Sequence, residues 1–157
     1  MPSLQTRLCR VLNIETPIGQ ATNFARQRTS PTPAVLACWP SCAETQMKCA
    51  GSSVRHLNGG RPFSANFILL ELDGASERID VCLETEVGVV SPHWHEPGEY
   101  IDRVHAADAS MMYTVGSAEE AWQAVDSEVD IIVAQGWESG GHVRSNVPTM
   151  ALLPRIV

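Results

Sequence analysis

A chain of 157 residues is the size of one ordinary domain, and 44% hydrophobic content is enough to bury a sizeable core. Eleven basic against 18 acidic residues leave a formal charge of -7, which repels phosphate backbones and anionic lipid and argues against nucleic acid or a membrane as partner. No apolar run approaches the ~20 residues that span a bilayer, and residues 1–20 are too polar for a secretory apolar region, so a cytoplasmic protein is expected.

In chain order, the first distinctive stretch is residues 22–57, which holds no stable period of two or 3.6. It contains Arg28-Thr29-Ser30-Pro31-Thr32-Pro33, then Cys38, Cys42 and Cys49 around Trp39-Pro40. A loop of this length is unusual inside a compact domain, and a disordered insertion is the plain reading. With Cys9 and Cys82 the cysteines number five, an odd set without a dense framework, so reduced thiols are expected. Only His56 stands near the cysteine cluster as a fourth ligand, and no paired knuckles are present, so no metal site is expected.

From Arg61 onward a short β-branched run, a loop and an amphipathic stretch recur. Strands are expected at residues 64–70, 88–90, 110–114 and 130–134, bounded by Pro, Gly and polar residues. Helices are expected at residues 77–85, 98–107 and 117–127, with a last one opening near Val147-Pro148-Thr149. Ile101, Val104 and His105 mark one apolar helix face, and Ala118, Ala121, Trp122 and Val125 another. Ser117 followed three residues later by Glu120 is a capping-box pattern. Short apolar strands alternating with helices call for parallel strands covered by helices, so the class is α/β. Periodicity alone leaves open a barrel or a doubly wound sheet.

The strongest local feature follows the last strand: Gln135-Gly136-Trp137-Glu138-Ser139-Gly140-Gly141-His142. In α/β proteins ligands gather at strand carboxyl ends, and glycines there let backbone N–H groups approach a phosphate or flavin. His142 stands next to those glycines as a side chain able to take a proton. Taken alone, a Gly pair after a strand is more often a structural loop. His93-Trp94-His95 places two imidazoles on one side of an extended segment, but without a further ligand at useful spacing these read as exposed loop histidines. His105 reads as a packed helix residue, and Thr114-Val115-Gly116-Ser117 offers only the anion-binding geometry common to every strand-to-helix loop.

Together these pieces resemble the nitronate monooxygenase family, formerly called 2-nitropropane dioxygenases, which are FMN-dependent (β/α)8 barrels. Residues 6–21, from Thr6-Arg7-Leu8-Cys9 to Pro17-Ile18-Gly19-Gln20-Ala21, resemble the family's opening helix and first barrel strand. Residues 61–157 resemble the middle of the barrel, including Arg61-Pro62-Phe63, Ala65-Asn66-Phe67 and, most specifically, residues 133–142. The resemblance implies FMN contacts at Asn66, Gln135, Gly140 and the adjoining Gly141, with Gln20 and Ala21 at the end of the first strand. It implies that His142 is the base that deprotonates neutral nitroalkanes, and that the reaction takes a nitronate or nitroalkane and O2 to a carbonyl compound and nitrite. An enoyl reductase on the same type of barrel is the alternative enzyme, and a non-catalytic truncated product the alternative outside catalysis.

The departures from the family divide the chain. A full barrel runs to ~250 residues or more, so the resemblance covers roughly its first half, and the later strands that bind the FMN phosphate in the family lie beyond Val157. Residues 1–21 then form the opening helix and strand, residues 22–60 an irregular segment, and residues 61–157 successive βα units. Where the family carries a run like V-S-N-A-G-G-L-G-M-L-A in its second βα unit, residues 29–40 back-translated and read from the third codon base are compatible with that run. This implies a frameshift restored near Gly59 or Gly60, and a disrupted second unit. Glu86, Asp108 and Glu128 stand where the family places glycine after a helix, the position that favours left-handed backbone. The oligomeric state is open.

Overall fold

A computed structural model of the chain describes residues 6–14, 64–68, 75–94 and 96–157. The expected contacts Gln20 and Ala21, the clustered cysteines and the segment 22–60 lie outside the described residues. The elements are α1 (Arg7–Leu12), β1 (Ser64–Ile68), α2 (Ala75–Glu84), β2 (Val89–His93), α3 (Gly98–Ala106), β3 (Ser110–Val115), α4 (Ala118–Asp126), β4 (Ile131–Ala134) and α5 (Thr149–Ile156). All three strand pairings are parallel, in the order β1-β2-β3-β4. Each helix therefore returns the chain to the next neighbouring strand without a reversal, the topology of a barrel and not of a doubly wound sheet.

Alternation along the strands separates two faces. Ala65, Val90 and Met111 pack with Ile79, Cys82, Ile101 and Val104 of α2 and α3. Tyr113 and Val115 pack with Ala121 and Ala124 of α4. The intervening residues form the inner face, where Val89, Met112 and Ile131 gather near the strands' amino ends around Leu8, Leu12 and Ile14. α1 thus plugs the inner face from below. Thr6 starts it by accepting the Cys9 N–H at 3.4 Å, and Asn13 at φ 51° ends it. The carboxyl ends of the strands, where Asn66, His93 and Gln135 lie, are at the other end of the sheet.

The three interior helices end alike. After α2 the Val87 N–H donates to Cys82 O at 3.0 Å, after α3 Ala109 N–H to Val104 O at 3.1 Å, and after α4 Val129 N–H to Ala124 O at 3.0 Å. Between them Glu86, Asp108 and Glu128 adopt φ of 57°, 57° and 60°. This is the Schellman closure, whose left-handed residue is ordinarily glycine. The following residue then turns inward: Val87 and Ala109 are buried, and Val129 packs against both helix-side clusters. Asp130 adds a tie, its carboxylate accepting the Met111 N–H at 2.7 Å and meeting His105 Nε2 at 3.0 Å.

Three expectations change. β2 runs five residues, through Pro92 to His93, not the three expected at 88–90. A proline lacks the N–H of a ladder and reads as a strand breaker, yet Pro92 is fully buried in β2, aligned with Phe67 of β1. On α4 the buried row is Ala118, Ala121 and Ala124, while Trp122 and Val125 are 60% and 61% exposed. The small side chains let the helix lie close to the sheet, which turns the larger apolar ones outward. His105 is exposed and paired with Asp130 rather than packed.

Candidate active site

The inner face carries polar side chains as it approaches the carboxyl ends. Asn66 Nδ2 donates to Ser91 Oγ at 3.3 Å, joining β1 to β2 above the apolar plug. Two residues on, along the same face of β2, stands His93. It is 6% exposed, so the reading of His93 as an exposed loop histidine is overturned: β2 extends past Pro92 and carries the imidazole inside. His95 lies outside the described residues.

β4 leads directly into the glycine-rich loop, and its first side chain folds that loop back. Gln135 Nε2 donates to the His142 carbonyl at 3.1 Å, and its Oε1 accepts the Arg144 N–H at 3.4 Å. The amide therefore clamps the two ends of the turn that holds Gly140 and Gly141. Gly136 is required by space, since a Cβ there would collide with Thr149 and with the Glu138 carboxylate. Gly141 is required by conformation, at φ 83°. Nothing stands within 4 Å of the positions a Cβ would take at Gly140 or Gly141, which leaves their backbone open to an approaching group.

A second set of contacts fixes the far side of the loop. Arg144 Nε pairs with Glu120 Oε1 at 2.8 Å, and Glu120 Oε2 accepts the Gly116 N–H at 2.8 Å. The expected cap is present, with Ser117 Oγ accepting the Glu120 N–H at 3.1 Å, but the Glu120 carboxylate reaches Gly116 and Arg144. Ser145 Oγ lies 2.8 Å from Gly116 O and 3.0 Å from Val147 O, and accepts the Val147 N–H at 3.0 Å. Glu138 accepts the Thr149 N–H at 2.9 Å, which caps α5 where Pro148 has no side chain to do so. Hydrogen bonds from backbone N–H groups, including that of Thr149, hold the Glu138 carboxyl below its usual range. Arg144 and Ser145 escaped the sequence reading because neither is distinctive by type, and Glu120 was read only as a capping partner. The spacing of Arg144 and Ser145 after the glycine pair is their only signal.

Trp94 joins the two halves of the site. Its indole stands edge-on to the His142 ring, with centroids 5.7 Å apart at 84°, and lies 5.4 Å from the His93 ring at 30°. Its backbone holds φ 72°, a conformation costly for a bulky side chain. Burial pushes the His93 pKa down, helped by the positive charge of Arg144 and by His142, against a hydrogen bond with the His142 backbone that works the other way. His93 is therefore a neutral imidazole at neutral pH. His93 Nε2 and Trp94 Nε1 are buried with no hydrogen-bond partner among the described residues.

The structure thus brings together Asn66, through Ser91, with β2, and brings Gln135, Gly140, Gly141 and His142 into one clamped loop above it. An open cleft of about 680 Å³ lies to one side, between Trp94, Pro97 and Tyr113 and the α4 residues Glu120 and Gln123, with Arg144 at its edge. None of the expected site residues lines it, so it is not the site they define. The donor set around His93 suits a flavin ring: a planar group with both N–H donors and carbonyl acceptors would meet an unpaired imidazole nitrogen, an indole N–H and open glycine backbone. No group of three or more His, Cys, Asp or Glu among the described residues is arranged to hold a metal ion.

Parallel strands in sequential order, plugged below and carrying a glycine-rich histidine loop above, define a segment of a (β/α) barrel, with the candidate site at the strand carboxyl ends. Residues 42–157 match the nitronate monooxygenase family, and the chain belongs to it. Among curated relatives, it is 32% identical over 98 residues to Rv1533 of Mycobacterium tuberculosis, provisionally described as a monooxygenase; the match covers 62% of this chain and 26% of that protein. It is 29% identical over 113 residues to a (3aS,4S,5R,7aS)-5-hydroxy-7a-methyl-1-oxo-octahydro-1H-indene-4-carboxyl-CoA dehydrogenase of Rhodococcus jostii, covering 72% of this chain and 31% of that one. In fold it is similar to FabK from Thermotoga maritima, with a TM-score of 0.79 at 24% identity over 97% of this chain and 50% of that one. It is also similar to a nitroalkane oxidase from Streptomyces ansochromogenes, with a TM-score of 0.71 at 23% identity over 96% of this chain and 57% of that one. The chain spans under a third of the curated relatives and about half of the solved structures.

Proposed function

We propose that the chain contributes the substrate-facing part of an FMN-dependent oxidoreductase that converts alkyl nitronates or nitroalkanes and O2 to a carbonyl compound and nitrite. The observation that carries this reading is the clamped loop: Gln135 and Arg144 fix the turn so that His142 stands against Trp94, over the strand ends that carry Asn66 and His93. FMN, when bound, supplies the two-electron acceptor and the reaction with oxygen. Asn66, Gln135 and the open backbone at Gly140 and Gly141 would hold it, with Gln20 and Ala21 as further contacts carried by the family resemblance.

His142 is exposed to an incoming molecule yet oriented by Trp94, which suits it to take the α-proton of a neutral nitroalkane. A preformed nitronate has already lost that proton and needs only to be positioned. Trp94 gives an apolar wall on which a short alkyl chain can pack, and keeps water from one side of the imidazole. Among the described residues no helix is long and apolar enough to cross a membrane.

A second reading has its own support. The Rhodococcus relative is named for a carboxyl-CoA substrate, which favours an enoyl thioester reaction on the same barrel. Profiling the flavin-loaded protein against ethylnitronate and against crotonyl-CoA with a reduced nicotinamide separates the two. Oxygen uptake with the nitronate alone is the expected result; nicotinamide oxidation with the thioester alone overturns it in favour of the reductase.

A further inference from the structure

The Glu120 carboxylate does more than a helix cap requires. Ser117 Oγ accepts the Glu120 N–H at 3.1 Å, and in a capping box the carboxylate would reach back to the N–H of the capping residue itself. Here Oε2 accepts the Gly116 N–H at 2.8 Å, one residue earlier, and Oε1 meets Arg144 Nε at 2.8 Å. With both oxygens bound and the side chain only 19% exposed, the carboxylate is an oriented anchor and not a loose surface charge. The glycine-rich loop rests tightly on that anchor. A Cβ at Gly116 would stand 3.0 Å from Ser145 N, and Ser145 Oγ lies 2.8 Å from Gly116 O. At the start of the loop the Gln135 N–H donates to Val115 O at 2.9 Å, and the Gln135 amide bridges His142 O and Arg144 N. Between these ties the His142 ring leans edge-on against Trp94.

We propose that Glu120 and Arg144 are positioning residues for His142: their ion pair holds the chain two residues beyond the imidazole, so that the ring keeps its stance against Trp94. The inference rests on the reading of His142 as the base that takes the α-proton. A base acts only within reach of the proton it removes, and a displacement of about 1 Å can cost about 100-fold. Trp94 meets one edge of the ring but does not fix the backbone that carries it. The Gln135 amide closes the turn onto the end of β4, and the Glu120–Arg144 pair fastens it sideways to the β3–α4 turn. Gly140 and Gly141, expected to face the flavin, precede His142, whereas Arg144 follows it. Loosening the pair therefore spoils the aim of the base and leaves the flavin contacts in place.

The test is steady-state oxygen uptake by the full chain with FMN in excess, comparing neutral nitroethane with preformed ethylnitronate. Glu120→Gln keeps the size of the side chain but leaves one oxygen for two donors, and Arg144→Gln removes the cation. Each is expected to lower kcat/KM about tenfold with nitroethane and no more than about twofold with ethylnitronate, since only the neutral substrate needs an aimed base. The double variant is expected to lose no more than the larger single loss, because both substitutions break the same tie. Arg144→Lys is expected to stay within about threefold of the unaltered protein with nitroethane, because the contact to Glu120 is a single N–H bond and not a fork. Arg144 is exposed, so its variants carry the test if Glu120→Gln does not fold. Equal losses with both substrates, no loss with either, or additive losses in the double variant overturn the positioning role, and turnover of both substrates by the unaltered protein then leaves the nitronate reading standing. Turnover of ethylnitronate alone by the unaltered protein overturns the inference, since no proton is then taken. An unaltered protein inactive with both overturns the nitronate reading and the inference together.

Discussion

Trp94 and His93 show how much a single strand extension decides. Because β2 passes through Pro92, two residues that look like loop become the wall of the site, one buried and one held at φ 72°. His93 also makes stability depend on pH. Its folded-state pKa lies below the ordinary value of about 6.5, so the unfolded chain binds the proton more readily. The stabilisation is complete above that ordinary value and is lost as the pH falls through the lowered one. Arg144 and His142 oppose the added charge, and Glu120 favours it. The thermal midpoint is expected to drop as the pH falls below about 6.5, and His93→Gln to flatten that part of the profile; a profile unchanged by the substitution contradicts the assignment of a neutral buried ring. At Cys82 burial drives the thiol up to about 12. Peptide mapping after iodoacetamide treatment at pH 8 should find Cys82 unmodified in the native chain and labelled in denaturant.

At the scale of elements, the helix ends were the most legible feature. Glu86, Asp108 and Glu128 were expected at left-handed positions because they stand where a glycine would close a helix, and all three have φ near 60°. The closing hydrogen bonds depend on the backbone, so they form despite the carboxylates. Replacing each by Gly removes about 1 kcal/mol of left-handed strain and a negative charge beside a helix carboxyl end. The three sites belong to different helix ends, so the triple variant should gain roughly 3 kcal/mol and melt roughly 6–12 °C higher. A melting point that does not rise would show that these positions are relaxed by contacts with the carboxylates. The Ser117 cap was equally legible, and Ser117→Ala should cost about 1 kcal/mol. Less legible were the β2 extension, where a proline masks a strand, and the α4 face, where three alanines outrank Trp122 because close approach to the sheet matters more than side-chain size. The loop's tertiary ties from Arg144 and Ser145 to the β3–α4 turn were not legible, since they join residues 24 to 29 apart in sequence that no period relates.

Over the whole molecule, sequential parallel strands, the α1 plug and the loop above them form one frame whose upper end gathers Asn66, His93, Gln135 and His142. The α/β class and the position of the loop after β4 followed from the alternation of short strands and helices; the choice of a barrel over a doubly wound sheet needed the strand order. The central claim is that His142 in this frame takes the α-proton of the substrate. It is tested most directly by steady-state oxygen uptake of the flavin-loaded protein and its His142→Asn variant, each with neutral nitroethane and with ethylnitronate. The account predicts a loss of about 100-fold or more with nitroethane and a change of no more than a few-fold with the nitronate, because only the first substrate needs a base. Equal losses with both substrates, or none with either, would contradict it.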